Sequence, residues 1–435
     1  MKSKIFHQMR STIGPLFLLV ASPSFAMVLW YTCVYLGGSF EQFFQLCCKE
    51  GFFSTLYHLW VPYVFGTKTA WQMIVVFALF QLAFMKLMPG KLFYGPLTPK
   101  GNIPVYKANG VISFLTTLTL FYLCAYPLKL FSPTIIYDNF GGLIGALNIF
   151  SLFFCLFLYF KGRFAPSCTD SGTSGNVVFD YYWGTELYPR ILGWDIKMFT
   201  NCRFGMMSWG LIILSFAAKQ HALHGLSNSM LISVALQMIY IFKFFCWETG
   251  YLRSLDIMYD RAGFYICWGC LVWVPSIYTS PALYLVNHPN QLGQFVAVAI
   301  FVCGAFAIFI NYQADRQRQK LRMTSGNCKI WGKKPNYTLA NFVTENGEKK
   351  ESLLLLSGWW GISRHFHYIP ELFGAFFWTL PALFSNFLPF FYFVFLSILL
   401  FDRAMRDDSR CAKKYGKDWE KHCAKVRYKI IPFIY

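Results

Sequence analysis

The chain has 435 residues, a formal net charge of +19 at pH 7, 56% hydrophobic and 20% aromatic residues, and only 14% charged ones. That balance excludes an ordinary soluble enzyme and defines a polytopic membrane protein. The positive charge gathers at the ends of apolar runs and in polar connections, as cytoplasm-facing loops do, and no basic recognition helix or RNA-binding motif appears, so nucleic acid is not an expected partner.

Taken in order, residues 1–26 imitate a secretory signal, with Lys2, Lys4 and Arg10 ahead of an apolar stretch, but that stretch continues to Leu36 and is long enough for a retained first span. Residues 37–68 are loop-like. A second span is expected over 69–88, closed by Pro89-Gly90, a third over 111–131 and a fourth over 142–160. Gly141 and Gly145 open the fourth with the small-residue spacing that lets helix backbones approach closely. Residues 161–204 form a long polar connection, followed by apolar runs at 205–218 and 228–247.

The segment after Trp247 departs from simple hydropathy. Glu248, Arg253, Asp256 and Asp260 sit among Gly250, Tyr251 and Leu255 in an amphipathic pattern. On a helix, Arg253 and Asp256 are three apart and Asp256 and Asp260 four apart, close enough to pair. Ionisable groups between apolar runs point to a polar cavity, because charge at membrane depth is costly. A further span is expected over 291–310, a soluble loop over 311–351, and two helices over 369–401 separated at Pro381 and Pro389. A basic tail closes the chain.

The fourteen cysteines are scattered, many within apolar runs (Cys33, Cys124, Cys155, Cys246, Cys303), and read as small buried hydrophobes rather than a disulfide framework. Cys267 and Cys270 lack a second pair, and His367 with Glu371 makes only a weak one, so no metal site is expected. In all, the pattern predicts an all-α polytopic membrane protein of about ten spans. It falls into an N-terminal transmembrane region (1–90), a central region of transmembrane helices with the polar cavity (91–310), and a C-terminal cofactor-binding region (311–435).

The C-terminal region carries the chemistry. Arg318 and Arg322 share a helix face, and the stretch from Ser357 to Tyr368 packs Trp359, Trp360, Arg364, His365, His367 and Tyr368 into twelve positions. Downstream lie Arg403, Arg406, Asp407 and Arg410 at helical spacing. Guanidinium and ammonium groups for phosphates, with indole and phenol faces for rings, suit a phosphorylated aromatic cofactor.

These same residues carry a resemblance. Ser357-Gly-Trp-Trp-Gly361 with Arg364-His-Phe-His-Tyr368, and Arg403-Ala-Met-Arg-Asp-Asp408 with Cys411-Ala-Lys-Lys-Tyr-Gly416, resemble the paired signatures of the sterol reductase family. Within it, Ser132-Pro-Thr-Ile-Ile-Tyr-Asp-Asn139, Gly184-Thr-Glu-Leu-Tyr-Pro-Arg-Ile191 and Cys328-Lys-Ile-Trp-Gly332 resemble the branch, especially its plant members, that reduces the C7–C8 bond of Δ5,7-sterols. The resemblance implies a cofactor pocket for NADPH formed by Arg318, Arg322, Leu355, Trp360, His367, Tyr368, Asp407, Cys411, Ala412, Lys413, Lys414 and Tyr415. Arg318 stands where many members have lysine, His367 where several have asparagine, and His422 where relatives place a cofactor-contacting tyrosine. Asp407 and Arg403 resemble a required pair, and Glu248 and Tyr251 are expected as acid or sterol-orienting groups.

A sterol substrate, membrane lipids, other enzymes of sterol biosynthesis as associates, and an endoplasmic-reticulum membrane (a bacterial inner membrane if the source is prokaryotic) complete the expectation. Three other readings stay open: Δ14 reduction; an S-adenosylmethionine-dependent isoprenylcysteine or phospholipid methyltransferase, which Arg364, Tyr368, Asp407, Asp408 and Trp419 also resemble; and a non-enzymatic sterol-binding protein.

Overall fold

The computed structural model describes residues 8–343 and 347–435; Lys2 and Lys4 of the basic leader lie outside them. Among the described residues seven helices are long and apolar enough to cross a membrane: Met9–Tyr35, Lys68–Leu87, Phe140–Phe164, Asn228–Cys246, Phe264–Asn287, Gln294–Met323 and Leu388–Tyr415. Gly110–Ala125 is apolar but shorter. Met206–His224 has spanning length, but Lys219, Gln220 and His221 interrupt its last turn. These two helices stand where the third span and the 205–218 run were expected.

Local signals set the helix ends. Thr67 caps its helix by accepting from the Ala70 amide at 3.1 Å, and Ser227 does the same for Met230 at 3.2 Å. The expected loop over 311–351 is shorter than its polarity suggests, because Gln294–Met323 runs on as one helix through Arg318 and Arg322. The rest of that loop folds as an antiparallel hairpin, Tyr337–Val343 against Lys349–Leu355. Two smaller hairpins, Lys91–Tyr94 with Val105–Ala108 and Arg190–Ile191 with Trp194–Asp195, also lie in polar connections. The all-α character therefore belongs to the apolar segments.

The chain divides into two compact units. The first comprises Met1–Thr98, Asn102–Leu292 and Ala382–Pro389. In it, the Phe140–Phe164 helix is approached so closely that Gly141 and Gly145 leave no room for a side chain. A Cβ at Gly141 would meet the Trp30 ring, and one at Gly145 the Tyr63 carbonyl oxygen. The small-residue spacing thus packs backbone against neighbours, as the sequence predicts.

One buried charge in this unit is held by main-chain carbonyls. The Lys197 ammonium, completely buried, donates to the Asp256, Ile257 and Asp260 carbonyls at 2.9, 2.7 and 2.7 Å, closing the short helix Leu255–Met258. Arg253 does not pair with Asp256 as helical spacing suggests; its guanidinium lies 5.0 Å from the Phe93 ring centroid, because the chain turns at residues 252–254 instead of continuing one helix.

The second unit comprises Pro99–Gly101, Gly293–Pro381 and Phe390–Tyr435. Its frame is the Gln294–Met323 helix, the Tyr368–Thr379 helix packed along it, and the Phe391–Tyr415 helix packed on Tyr368–Thr379. The expected pair of helices over 369–401 is present, broken between Thr379 and Phe391 by two short turns containing Pro381 and Pro389. The Tyr337–Val343 strand packs against Lys417–Lys425.

Because the Tyr63 carbonyl sits where a Gly145 side chain would go, Gly145→Leu should overpack the unit by about 1–3 kcal/mol or more. The expected outcome is loss of folded protein from membranes, read by detergent-resistant monomer on fluorescence size-exclusion chromatography, whereas Gly269→Ala, at a position with open space around it and no positive φ, should leave that peak in place.

Candidate functional site

The Ser357–Tyr368 stretch is anchored at both ends. Trp359 donates its amide to Gln317 Oε1 at 3.0 Å, and Trp360 donates its indole N–H to the Ala314 carbonyl at 2.7 Å, fixing the indole plane against the Gln294–Met323 helix. The Asn311 carboxamide donates to the His367 carbonyl at 2.8 Å. At the other end the Arg364 and His365 amides donate to the Tyr428 and Lys429 carbonyls at 3.0 and 2.7 Å, and the Arg364 guanidinium donates to the Val426 and Arg427 carbonyls. The basic tail is therefore part of the site's scaffold rather than a free appendage.

Between these anchors runs a ladder of planar groups. The Arg318 guanidinium lies 4.2 Å from the Trp360 ring centroid, Trp360 stacks on His367 at 4.9 Å, His367 meets Tyr368 at 4.2 Å, and Tyr368 stacks on His365 at 5.4 Å with a 7° interplanar angle. The ladder ends at a carboxylate: His365 Nε2 is 3.9 Å from Asp407 Oδ2. Asp407 is held by Arg410 at 2.5 Å and lies 4.0 Å from Cys411 Sγ. Asp408, one residue on, pairs with Arg364 at 3.5 Å and Lys429 at 3.1 Å. Arg410 on Asp407, and Arg364 with Lys429 on Asp408, offset the cost of holding the carboxylates part-buried.

The expected cofactor residues do not all stand alike. Arg318, Trp360, His367, Tyr368 and Asp407 form the ladder, and Cys411 touches its end. Arg322 is exposed one turn beyond Arg318. Leu355 is buried with Leu321, Ile330 and Trp360, behind the ladder. Tyr415 is buried with Ala340, Leu354 and Trp419, and Lys414 lies 3.9 Å from the Phe342 ring centroid. Ala412 and Lys413 are exposed. Arg403 is half-buried on the same helix as Asp407. His422 is buried and stacked on Trp419 at 5.2 Å, a packing position rather than an outward one.

His365 is the residue that sequence reasoning left out of the site. The signal was its place inside the Arg364–Tyr368 motif beside an acidic helix. Burial pushes its imidazole down to about 4 against the opposing pull of Asp407, so it is neutral at neutral pH. His422 is likewise lowered to about 4 by burial, with the Arg364 and Lys425 charges adding to the effect.

The other expected residues lie in the first unit. Glu248 is buried and uses both carboxylate oxygens: one pairs with Arg203, the other accepts from the Gly110 amide at 2.9 Å. Arg203 also donates to Asn109 Oδ1 at 2.8 Å. Tyr251 is held by the Asn201 carboxamide, which donates to its phenolic oxygen at 2.8 Å, and burial pushes its phenol well above the ordinary range. Among the described residues no cluster of three or more His, Cys, Asp or Glu side chains could hold a metal ion.

Membrane helices carrying an anchored ladder of rings and a guanidinium group, with a His–Asp pair at its end, define a polytopic membrane protein with a candidate site in its second unit. The sequence model of the Ergosterol biosynthesis ERG4/ERG24 family matches residues 4–435, and the chain belongs to that family of sterol reductases. It is 52% identical over 420 residues to a 7-dehydrocholesterol reductase of Arabidopsis thaliana, covering 96% of each chain. It is 38% identical over 383 residues to a 7-dehydrocholesterol reductase of Xenopus laevis, covering 85% of this chain and 81% of the relative. It is also 36% identical over 423 residues to a Delta(14)-sterol reductase of Methylotuvimicrobium alcaliphilum, covering 97% and 94%. The family is that of the reductase resemblance, not of the methyltransferase one.

His365 and His422 make the second unit acid-sensitive. Both are harder to protonate when folded than in the unfolded chain, where histidine titrates near 6.5, so the unfolded state takes up protons first as pH falls. Stability should be full above about 6.5 and decline steadily toward 4. Thermal melts of the purified protein across that window should show the decline, and His422→Phe, which removes one of the two titrating groups, should make it shallower.

Proposed function

We propose that this protein is an NADPH-dependent sterol Δ7-reductase of the endoplasmic-reticulum membrane, reducing the C7–C8 bond of Δ5,7-sterols of the 7-dehydrocholesterol type. The observation that carries the reading is 52% identity across 96% of both chains to a relative named for that reaction. A ring diene with no electron-withdrawing group is not polarised toward direct hydride attack, so its reduction needs a proton on one carbon and a hydride on the other. NADPH supplies the hydride.

The protein's residues fit such a cofactor. Arg318 and Arg322, four apart on one helix, suit the phosphates, including the extra one that distinguishes NADPH. The Trp360, His367 and Tyr368 faces suit its rings, with Trp360 held in place by its bond to Ala314. Asp407, fixed by Arg410, and the neutral His365 beside it orient the polar groups of the cofactor at the ladder's end. Arg403 supports Asp407 from the preceding helical turn. Leu355, Cys411 and Tyr415 back this wall from the packed side, and Ala412, Lys413 and Lys414 border it.

Glu248 and Tyr251 divide the remaining work. Glu248, with both oxygens engaged, positions the segment that carries Tyr251. Tyr251 keeps its proton at all ordinary pH values and has an O–H free to donate, since its oxygen accepts from Asn201. It is the group we assign to the sterol as proton donor or hydrogen-bond donor. A second reading, Δ14 reduction, is supported by the 36% identity to the Delta(14)-sterol reductase over nearly the whole chain.

Incubating the purified protein with NADPH and defined Δ5,7- and Δ8,14-dienes, with products read by mass spectrometry, separates the two. Loss of only the Δ7 bond is expected, and reduction of only the Δ8,14-diene would reverse the assignment. In the same assay Asp407→Ala should lower turnover roughly 100-fold while the protein still accumulates, the scale of losing a fixed charge in a reaction site. Arg318→Glu with Arg322→Glu should raise the KM for NADPH at least roughly tenfold with a smaller change in kcat. An unchanged KM would mean that these arginines only set topology.

A further inference from the structure

A second cavity, in the first unit, has none of the features a reduction needs. It has a volume of about 270 Å³ and is walled by the helices Lys68–Leu87, Gly110–Ala125, Phe140–Phe164 and Met206–His224 together with neighbouring segments. Its lining is almost wholly apolar, and none of the lining residues is Asp, Glu, His, Lys, Arg or Tyr. Nothing there can protonate an alkene or hold a phosphate. Two of its walls are helices long and apolar enough to span a membrane. On one side the lining residues Val76 and Phe80 are 52% and 50% exposed, so the cavity is bordered by surface that faces lipid.

Three polar residues, Gln81, Thr117 and Ser208, break this pattern, and among them Gln81 has an unsatisfied atom. Gln81 lines the cavity with no exposed surface, fourteen residues into a twenty-residue apolar helix. Its carboxamide nitrogen donates to Thr117 Oγ1 at 2.9 Å, and the Thr117 hydroxyl donates in turn to the Ser113 carbonyl at 2.7 Å. Gln81 Oε1 has no hydrogen-bond partner among the described residues. At membrane depth bulk water is not at hand to satisfy it, and an unpaired amide oxygen in hydrocarbon is strongly unfavourable.

We propose that this cavity is a non-reactive binding site for a monohydroxy sterol, whose hydroxyl pairs with the Gln81 carboxamide while its ring system fills the apolar chamber. A hydroxyl both donates and accepts, so it satisfies the free end of the amide in either orientation. The absence of lining charge excludes phospholipid head groups and fatty-acid carboxylates from the interior. Phenylalanine rings on several walls, Phe77, Phe121, Phe140 and Phe204 among them, present stiff apolar faces that suit a rigid alicyclic body better than a flexible acyl chain. The site is chemically separate from the cofactor wall, and its occupancy does not depend on which ring bond the enzyme reduces.

The test uses the full-length protein in phosphatidylcholine nanodiscs with three photoreactive diazirine probes: a 3-hydroxysterol, its 3-methyl ether, and a phosphatidylcholine labelled in its acyl chain. Cross-linked peptides are mapped by mass spectrometry. The hydroxysterol should label peptides covering 68–87 and 110–125, be displaced by unlabelled sterol, and exceed the ether by roughly fivefold, the factor one such hydrogen bond contributes.

Gln81→Leu should abolish that difference without lowering the melting temperature, because it removes an unsatisfied polar atom and leaves Thr117 bonded to Ser113. Equal labelling by hydroxysterol and ether in the wild-type protein overturns the proposal, as does preferential labelling by the acyl-chain probe. So does a Gln81→Leu protein that still discriminates the two sterols. If Gln81→Leu does not accumulate, the wild-type comparison of hydroxyl with ether decides.

Discussion

The second unit depends on backbone hydrogen bonds that its own last residues make to Arg364 and His365. The motif between Ser357 and Tyr368 is a short turn followed by a helix start, with too few internal hydrogen bonds to hold itself. Beside its bonds to Gln317, Ala314 and Asn311, four hydrogen bonds, two from Arg364 Nη1 and one each from the Arg364 and His365 amides, reach consecutive carbonyls of residues 426–429. Such a clamp fixes both main chain and side chain, which is why Tyr368 and His365 can lie nearly parallel and carry the ladder toward Asp407. The tail's lysines and arginines count toward the positive charge of the chain, but the tail's structural work is done by its carbonyls.

The first unit solves a different problem with the same economy of partners. Lys197, Arg203 and Glu248 are each almost wholly buried, and a buried charge is tolerated only when partners replace its water shell. Lys197 meets three carbonyls at a helix end, where the helix dipole also favours a cation. Glu248 meets Arg203 and the amide that opens the Gly110–Ala125 helix, where the dipole favours an anion. Charges that look catalytic in a hydropathy profile are thus spent on joining helix termini.

Much of the frame was legible in the sequence. The apolar runs, the close approach at Gly141 and Gly145, the break around Pro381 and Pro389, and the clustering of Arg318, Trp360, Tyr368 and Asp407 follow from periodicity, residue size and motif. What was missed depends on longer-range pairing. The paired strands Tyr337–Val343 and Lys349–Leu355 were concealed by the high polarity of the region. The Gln294–Met323 helix runs on past its apolar stretch, in keeping with the helix face that Arg318 and Arg322 were expected to share, although hydropathy ends where the charges begin. Arg203 with Glu248, or Arg364 with the tail, join residues dozens of positions apart, and spacing carries no information about such partners.

That extension explains how a membrane helix can present a polar ligand site. The Gln294–Met323 helix leaves its apolar stretch near Asn311, and from there Asn311, Ala314, Gln317 and Arg318 each bind a part of the Trp359–His367 segment. Spaced three or four apart, these residues form one stripe, so a single rigid element sets the positions of the indole, the guanidinium above it and the imidazole on its far side. A loop at this place could supply the same charges but not their spacing. The wall is therefore built before a ligand arrives, and binding need not order it. Arg322, exposed one turn further along, extends the same stripe beyond the rings, where a phosphate joined to an aromatic group would extend.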